Sequence, residues 1–258
     1  GGGVLTDLGG FIASTYKRGI PFINIPTTLL GMCDASIGGK TGIDHQFLKN
    51  IIGTFANPEQ IFVFPKFLET LPFEELRSGF AEMLKHGLII DEKHWNDLIS
   101  IKNLTPQSVF PFIETSMKIK QKVVDQDFTE QNIRKTLNFG HTIGHALESL
   151  FLLKGKPIMH GEAVALGMIC ETRISMLRGL ISEETSNTII SHLRQFFPDI
   201  DTKQFSVEEI LNLMRNDKKN SHGTINFSLL TGIGNSAYNC SVDAEHINKS
   251  LHYYQNLP

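Results

Sequence analysis

Two histidines four residues apart, His141 and His145, stand in the run Asn138-Phe139-Gly140-His141-Thr142-Ile143-Gly144-His145-Ala146-Leu147-Glu148, and His160 follows in Met159-His160-Gly161-Glu162. On a helix an i,i+4 pair shares one face, so both imidazoles can meet one divalent ion, and His160 can add a third nitrogen. Zinc-protease chemistry needs Glu directly after the first His as general base; Thr142 stands there, so that reading fails. The competing reading is a helix whose histidines only satisfy hydrogen bonds. Three of them, with glycines at close-packing positions, favour a metal.

Other segments carry charge in suggestive places. Asp34-Ala35-Ser36-Ile37-Gly38-Gly39-Lys40-Thr41-Gly42, then Lys49-Asn50 and Gly53, pair glycines with cations. Backbone N–H groups there can approach an anion while Lys40 and Lys49 supply point charge, although a tight structural turn fits the same residues. The glycine spacing of a Walker motif is absent, which argues against nucleoside triphosphate hydrolysis. Glu82 and Lys85 sit three apart on an expected helix, either as part of a metal site or as a surface ion pair. Arg134, Asn138 and His141 recur at i, i+4 and i+7, so one helix would line up a guanidinium, an amide and an imidazole as a site wall.

The elements that must position these groups change character along the chain. Small and apolar residues from Leu8 to Tyr16 read as a helix ended by Gly19, and Phe22-Ile23-Asn24-Ile25 and Ile61-Phe62-Val63-Phe64 read as short buried strands. After Thr70-Leu71-Pro72 helical patterns take over, at 74–90, 111–125, 134–152, 161–177, 182–196 and 207–216, with a late strand or hairpin arm from Thr224 to Leu230. The expected architecture is an incomplete α/β nucleotide-binding portion over 1–72 and a mostly α-helical metal- and substrate-binding domain over 73–258. Gly1-Gly2-Gly3 opens the chain like a turn that normally follows a strand, so a fragment lacking upstream α/β structure is expected.

With 258 residues, 41% hydrophobic and 20% charged, the chain can build one large or two modest cores. A net charge of −3 provides no basic field for nucleic acid or an anionic membrane surface. Cys33, Cys170 and Cys240 are widely spaced without any CxxC, which suits a reducing, cytoplasmic setting. No apolar run approaches the roughly 20 residues of a membrane span, and no secretory leader pattern is seen.

Taken together, Gly1 to Asp7, Pro26-Thr27-Thr28-Leu29-Leu30, Asp34 through Thr41, Lys49-Asn50, Thr70-Leu71-Pro72, Ala81-Glu82 with Lys85, and Leu137 through Glu148 resemble the 3-dehydroquinate synthase family. The resemblance extends to Lys218-Lys219 and Gly232-Ile233-Gly234. It implies an NAD- and zinc- or cobalt-dependent lyase that turns 3-deoxy-arabino-heptulosonate 7-phosphate into 3-dehydroquinate and phosphate, on the way to aromatic amino acids. The implied route is transient oxidation by NAD, β-elimination of phosphate, re-reduction and aldol cyclisation. Carried over by position, Glu82, His141 and His160 are the implied metal ligands, which moves His145 from the metal to the substrate. Gly3, Val4, Leu5, Thr6, Asp7, Thr27, Thr28, Lys40, Lys49, Phe67, Leu68, Glu69 and Thr70 are implied at NAD. Arg18, Asp34, Asn50, Lys85, Lys120, Arg134, Asn138, His145, Lys218 and Lys219 are implied around the sugar phosphate, and a homodimer is expected. Leu48 stands where the family usually has Gly, and Phe64 where it usually has Asp. Related sugar-phosphate cyclases, a glycerol-type metal-dependent alcohol dehydrogenase and a noncatalytic remnant are the alternatives.

Overall fold

The structure, a computed structural model, describes residues 1–45, 48–215 and 225–257, without the side chains of 44, 45 and 48–50. The implied residues Lys218 and Lys219, and the side chains of Lys49 and Asn50, therefore lie outside the described residues. Two compact units emerge: Gly1–Met83 with Ser100–Arg134, and Leu84–Ile99 with Lys135–Pro258. This division groups 73–83 and 100–134 with the first seventy-two residues. Among the described residues no helix is long and apolar enough to cross a membrane.

In the first unit, helix α1 (Gly3–Thr15) starts at the glycine run, with Gly2 as its N-cap. Strands β1 (Ile23–Asn24) and β4 (Gln60–Ile61) pair in parallel, Ile23 opposite Gln60, and are shorter than the apolar runs suggest. Between them lies an antiparallel hairpin of β2 (Lys40–His45) and β3 (Leu48–Phe55), where the sequence suggested only an anion loop or a turn. The hairpin is fastened to α1 by a hydroxyl chain: Ser14 Oγ lies 2.7 Å from Thr54 Oγ1, which lies 2.6 Å from Thr41 Oγ1. Helix α2 (Phe73–Ile90) crosses the boundary between the units. Helix α4 (Pro106–Gln126) starts one and a half turns before the expected Pro111. Thr105 caps it by accepting from the Ser108 N–H at 3.1 Å, and Pro111 sits inside the helix. Pro106 fills the first turn, where proline is favoured, and Thr105 and Ser108 satisfy each other's backbone N–H groups, so the helix begins there and not at Pro111.

The second unit is built on helix α6 (His160–Leu177), which is buried along most of its length and packs against α5 (His141–Leu153), α7 (Glu183–Phe196) and α9 (Ala244–Gln255). Helix α3 (Glu92–Ile99), capped by Asp91, and α9, capped by Asp243, are both short helices absent from the sequence reading. Helix α8 (Val207–Arg215) precedes a hairpin of β5 (Ile225–Gly232) and β6 (Asn235–Val242), in which the expected strand is the first arm.

One expected helix is broken. Residues 134–152 divide into a 3₁₀ segment, Ile133–Asn138, and α5, separated at Gly140 with φ +80°. Arg134, Asn138 and His141 therefore do not share an α-helical stripe, because Arg134 and Asn138 wind on a 3₁₀ segment and left-handed Gly140 interrupts the helix before His141. The break serves packing: a Cβ on Gly140 would lie 2.5 Å from Met168 Cγ, and one on Gly167 would lie 1.9 Å from the Gly140 carbonyl oxygen. Only paired glycines let α5 and α6 come this close.

Candidate functional site

That close approach brings the three histidines together. Ligand-capable atoms of His141, His145 and His160 all lie within 4.8 Å of one another, and the ring centroids are 5.0 to 5.7 Å apart. His141 is buried, and His145 and His160 are half-buried. His141 and His145 share one face of α5, as their i,i+4 spacing requires, and His160 joins them as the first residue of α6.

Their surroundings orient them. His141 Nδ1 lies 3.1 Å from the Phe139 carbonyl oxygen, and His160 Nδ1 lies 3.4 Å from Glu148 Oε2. Both oxygens only accept, so each Nδ1 is the donor, and in the neutral imidazole Nε2 is then the nitrogen able to ligate. The start of α5 is held by Glu171 of α6, which is fully buried. Its Oε2 accepts from the Gly140 N–H at 2.6 Å, and its Oε1 accepts from those of Thr142 and Ile143 at 3.1 and 3.2 Å. A carboxylate thus satisfies N–H groups that a helix start leaves orphaned and complements the dipole there. Neither Glu148 nor Glu171 was picked out as functional from sequence. Glu148 was legible as i+7 from His141 on the same helical face; Glu171, far along the chain, gave no local signal.

The first unit gathers charge separately. Lys120 Nζ donates to Asp34 Oδ1 at 2.7 Å and to the Asp34 carbonyl oxygen at 2.5 Å. Glu82 is completely buried, with a carboxylate oxygen within 4.8 Å of one on Asp34. Arg134 is buried, and its Nη1 donates to the Phe128 carbonyl at 2.5 Å. Its loop is shaped by Asp127, whose carboxylate accepts from the N–H groups of Gln131, Asn132 and Arg134 at 2.9, 2.7 and 3.0 Å. Burial alone would raise the Asp127 pKa, but these three donors hold it below the usual aspartate value. Burial draws the Arg134 guanidinium down from its ordinary value, with Glu130, Asp34 and Asp127 opposing. Gly38 and Gly39, at φ +99° and +65°, let backbone pass beside this arginine, since a Cβ on Gly38 would lie 2.7 Å from Arg134 Nη2. The glycine pair is thus a site of close approach, and Lys40 beside it is ion-paired with Glu130.

The residues expected at NAD are partly assembled within this unit. Gly2, the N-cap of α1, lies against Thr28, and the Thr27 N–H donates to the Gly1 carbonyl oxygen at 2.9 Å. The first turn of α1, Gly3, Val4, Leu5, Thr6 and Asp7, follows directly. Phe67, Glu69 and Thr70 are exposed on a 3₁₀ segment, Pro65–Thr70, whereas Leu68 is buried in the core. Arg18 is exposed at φ +66°. In the second unit Lys85 is almost fully buried on α2, and Asn138 is half-buried at the end of its 3₁₀ segment.

The sequence matches the N-terminal part of 3-dehydroquinate synthase over residues 1–78 and the C-terminal part over 79–220. A 3-dehydroquinate synthase of Parabacteroides distasonis is 43% identical over 258 residues, which cover 99% of this chain and 73% of that relative. Among solved structures, 2-epi-5-epi-valiolone synthase from Streptomyces hygroscopicus, with NAD+ and Zn2+ bound, superposes with a TM-score of 0.87 at 29% identity, covering 98% of this chain and 71% of that one. A 2-deoxy-scyllo-inosose synthase complexed with carbaglucose-6-phosphate, NAD+ and Co2+ gives 0.83 at 26% identity, covering 97% and 71%.

Proposed function

The chain belongs to the 3-dehydroquinate synthase family, and from that premise we propose that it converts 3-deoxy-arabino-heptulosonate 7-phosphate into 3-dehydroquinate and phosphate, using NAD and a divalent ion, zinc or cobalt. The observation that carries this reading is the convergence of His141, His145 and His160 on one small volume, their ligand-capable atoms within 4.8 Å of one another. Two neutral imidazoles and a carboxylate form a donor set that suits zinc or cobalt. His141, His160 and Glu82 are assigned as its ligands, the carboxylate on the strength of the family resemblance. Held by these residues, NAD would supply a hydride acceptor and donor, and the metal a Lewis acid toward the substrate hydroxyl.

The chain's own residues bind and orient. Arg134 presents a planar fork suited to a carboxylate or phosphate, and Asp127 keeps its loop in shape. Lys120, tied to Asp34, and Lys85 add cationic charge for a doubly anionic substrate; Arg18, Asn50, Asn138, Lys218 and Lys219 are assigned to the same cavity. His145 faces the substrate, where an imidazole can hold or move a proton at a reacting oxygen. The start of α1 with Thr27 and Thr28, Lys40, Lys49 and the segment from Phe67 to Thr70 are assigned to NAD, a helix N-terminus being suited to its pyrophosphate. Residues 1–72 are read as the nucleotide-binding portion and 73–258 as the metal- and substrate-binding domain, in a cytoplasmic homodimer. The dehydroquinate reading is favoured over the other cyclases because identity to the P. distasonis enzyme exceeds that to 2-epi-5-epi-valiolone synthase, 43% against 29%.

The polypeptide carrying these residues should release phosphate from 3-deoxy-arabino-heptulosonate 7-phosphate with no net change in nicotinamide absorbance. Accumulating NADH would point to a dehydrogenase, preference for sedoheptulose 7-phosphate or glucose 6-phosphate to another cyclase, and no turnover with any of them to a noncatalytic remnant.

A further inference from the structure

Glu148 follows His141 by seven residues and His145 by three on α5, so all three side chains stand on one helical face. It is 8% exposed, a burial that a carboxylate tolerates only with partners. One partner is His160, reached across the α5–α6 contact through Oε2 to Nδ1 at 3.4 Å. The carboxylate can only accept, so this contact fixes the proton on Nδ1 and turns Nε2 away from Glu148. His141 is held in the same sense by a backbone carbonyl. The two histidines thus have the same tautomer fixed by different means, one by the main chain and one by a replaceable side chain.

We propose that Glu148 is a positioning residue for the metal centre: it locks the ring of His160 with Nε2 presented to the ion, and so makes His160, not His145, the partner of His141. The carboxylate also raises the basicity of the imidazole it holds and places negative charge close to a dication without occupying a coordination position. The inference rests on the metal reading above, and its test separates the two.

The experiment compares wild type, E148Q and E148A for zinc affinity against a competing chelator, for the visible absorption of the Co2+ form, and for the melting temperature of the metal-free protein. Glutamine keeps the volume and one accepting oxygen, so E148Q folds and remains informative where E148A fails to. Wild type is expected to bind one zinc, E148A to bind about 10- to 100-fold more weakly, and E148Q to fall between them. The Co2+ band is expected to shift in both variants, with little change in the melting of metal-free E148Q. A merely structural carboxylate would instead lower that melting temperature and leave the Co2+ band alone. Variants that match wild type in zinc affinity and Co2+ spectrum overturn the role of Glu148 while leaving the metal site standing. A wild-type protein that binds no zinc overturns the metal reading, and this inference with it.

Discussion

Replacing Glu171 with glutamine should loosen the first turn of α5 while leaving the rest of the α5–α6 contact in place. The wild-type carboxylate accepts three N–H groups, Gly140 through Oε2 and Thr142 and Ile143 through Oε1. A glutamine carbonyl in the Oε1 position keeps the latter two, but its NH2 then faces the Gly140 N–H, donor against donor. An unsatisfied buried N–H costs about 1–3 kcal/mol, and the retained bonds lose their charge assistance. Relief from burying a charge offsets part of this, leaving a net loss of about 2 kcal/mol. Glu171→Ala abandons all three donors and should cost more, about 3–5 kcal/mol. Amide hydrogen exchange followed residue by residue reads the effect locally. A loss of about 2 kcal/mol corresponds to roughly 30-fold faster exchange at Gly140. Amides of α7 and α9, remote from the capped turn, should change little. Gly140 exchange within a factor of about two of wild type in E171Q would refute the idea that this carboxylate secures the start of the helix, since that is under about 0.5 kcal/mol.

Two further perturbations probe the second unit. Burial holds the His94 imidazole down to about 4, with the charge of His86 acting in the same direction. Because the folded value lies below the ordinary 6.5, the unfolded chain takes up the proton first on acidification. Stability should therefore fall between pH 6.5 and about 4, by roughly 3 kcal/mol over the window, and His94→Gln should flatten that part of a pH series of urea unfolding curves. Unchanged slope in the variant would remove His94 as the cause. Gly167→Ala would place a Cβ 1.9 Å from the Gly140 carbonyl oxygen, so α5 and α6 must separate. A cost of about 1–3 kcal/mol or more is expected in melting experiments, together with weaker zinc binding, whereas a wild-type melting temperature would show that the helices have room to spare.

The site was easier to read than the fold around it. His141, His145 and His160 declared themselves because imidazoles at helical spacing next to glycines are a local pattern, and the structure brings the three together. Helices α2, α6 and α7 were legible within a residue or two for the same reason: their periodicity is long, with Pro72 before α2, Gly179 soon after α6 and the Ser182 cap before α7. The break at Gly140 was not, because glycine inside an apolar pattern reads as a tolerated weak point until packing shows what it faces, here Met168 and Gly167. The β2–β3 hairpin was hidden by its glycines, which suggested an anion loop, and its stability comes partly from threonine and serine hydroxyls on α1 and the facing strand. Helix α3 offers too few turns for a periodic signal. Glu171 and Asp127 act by accepting backbone N–H groups, a role that leaves no trace in spacing.

The central proposal is that His141 and His160 hold a divalent ion, with Glu82 assigned to it from the family resemblance alone. Anomalous diffraction from crystals of the zinc- or cobalt-loaded protein tests it most directly. One strong peak is expected about 2.0–2.1 Å from Nε2 of both His141 and His160, with His145 outside bonding distance. A peak coordinated by His145 in place of His160, or no ordered ion near these histidines, would contradict it.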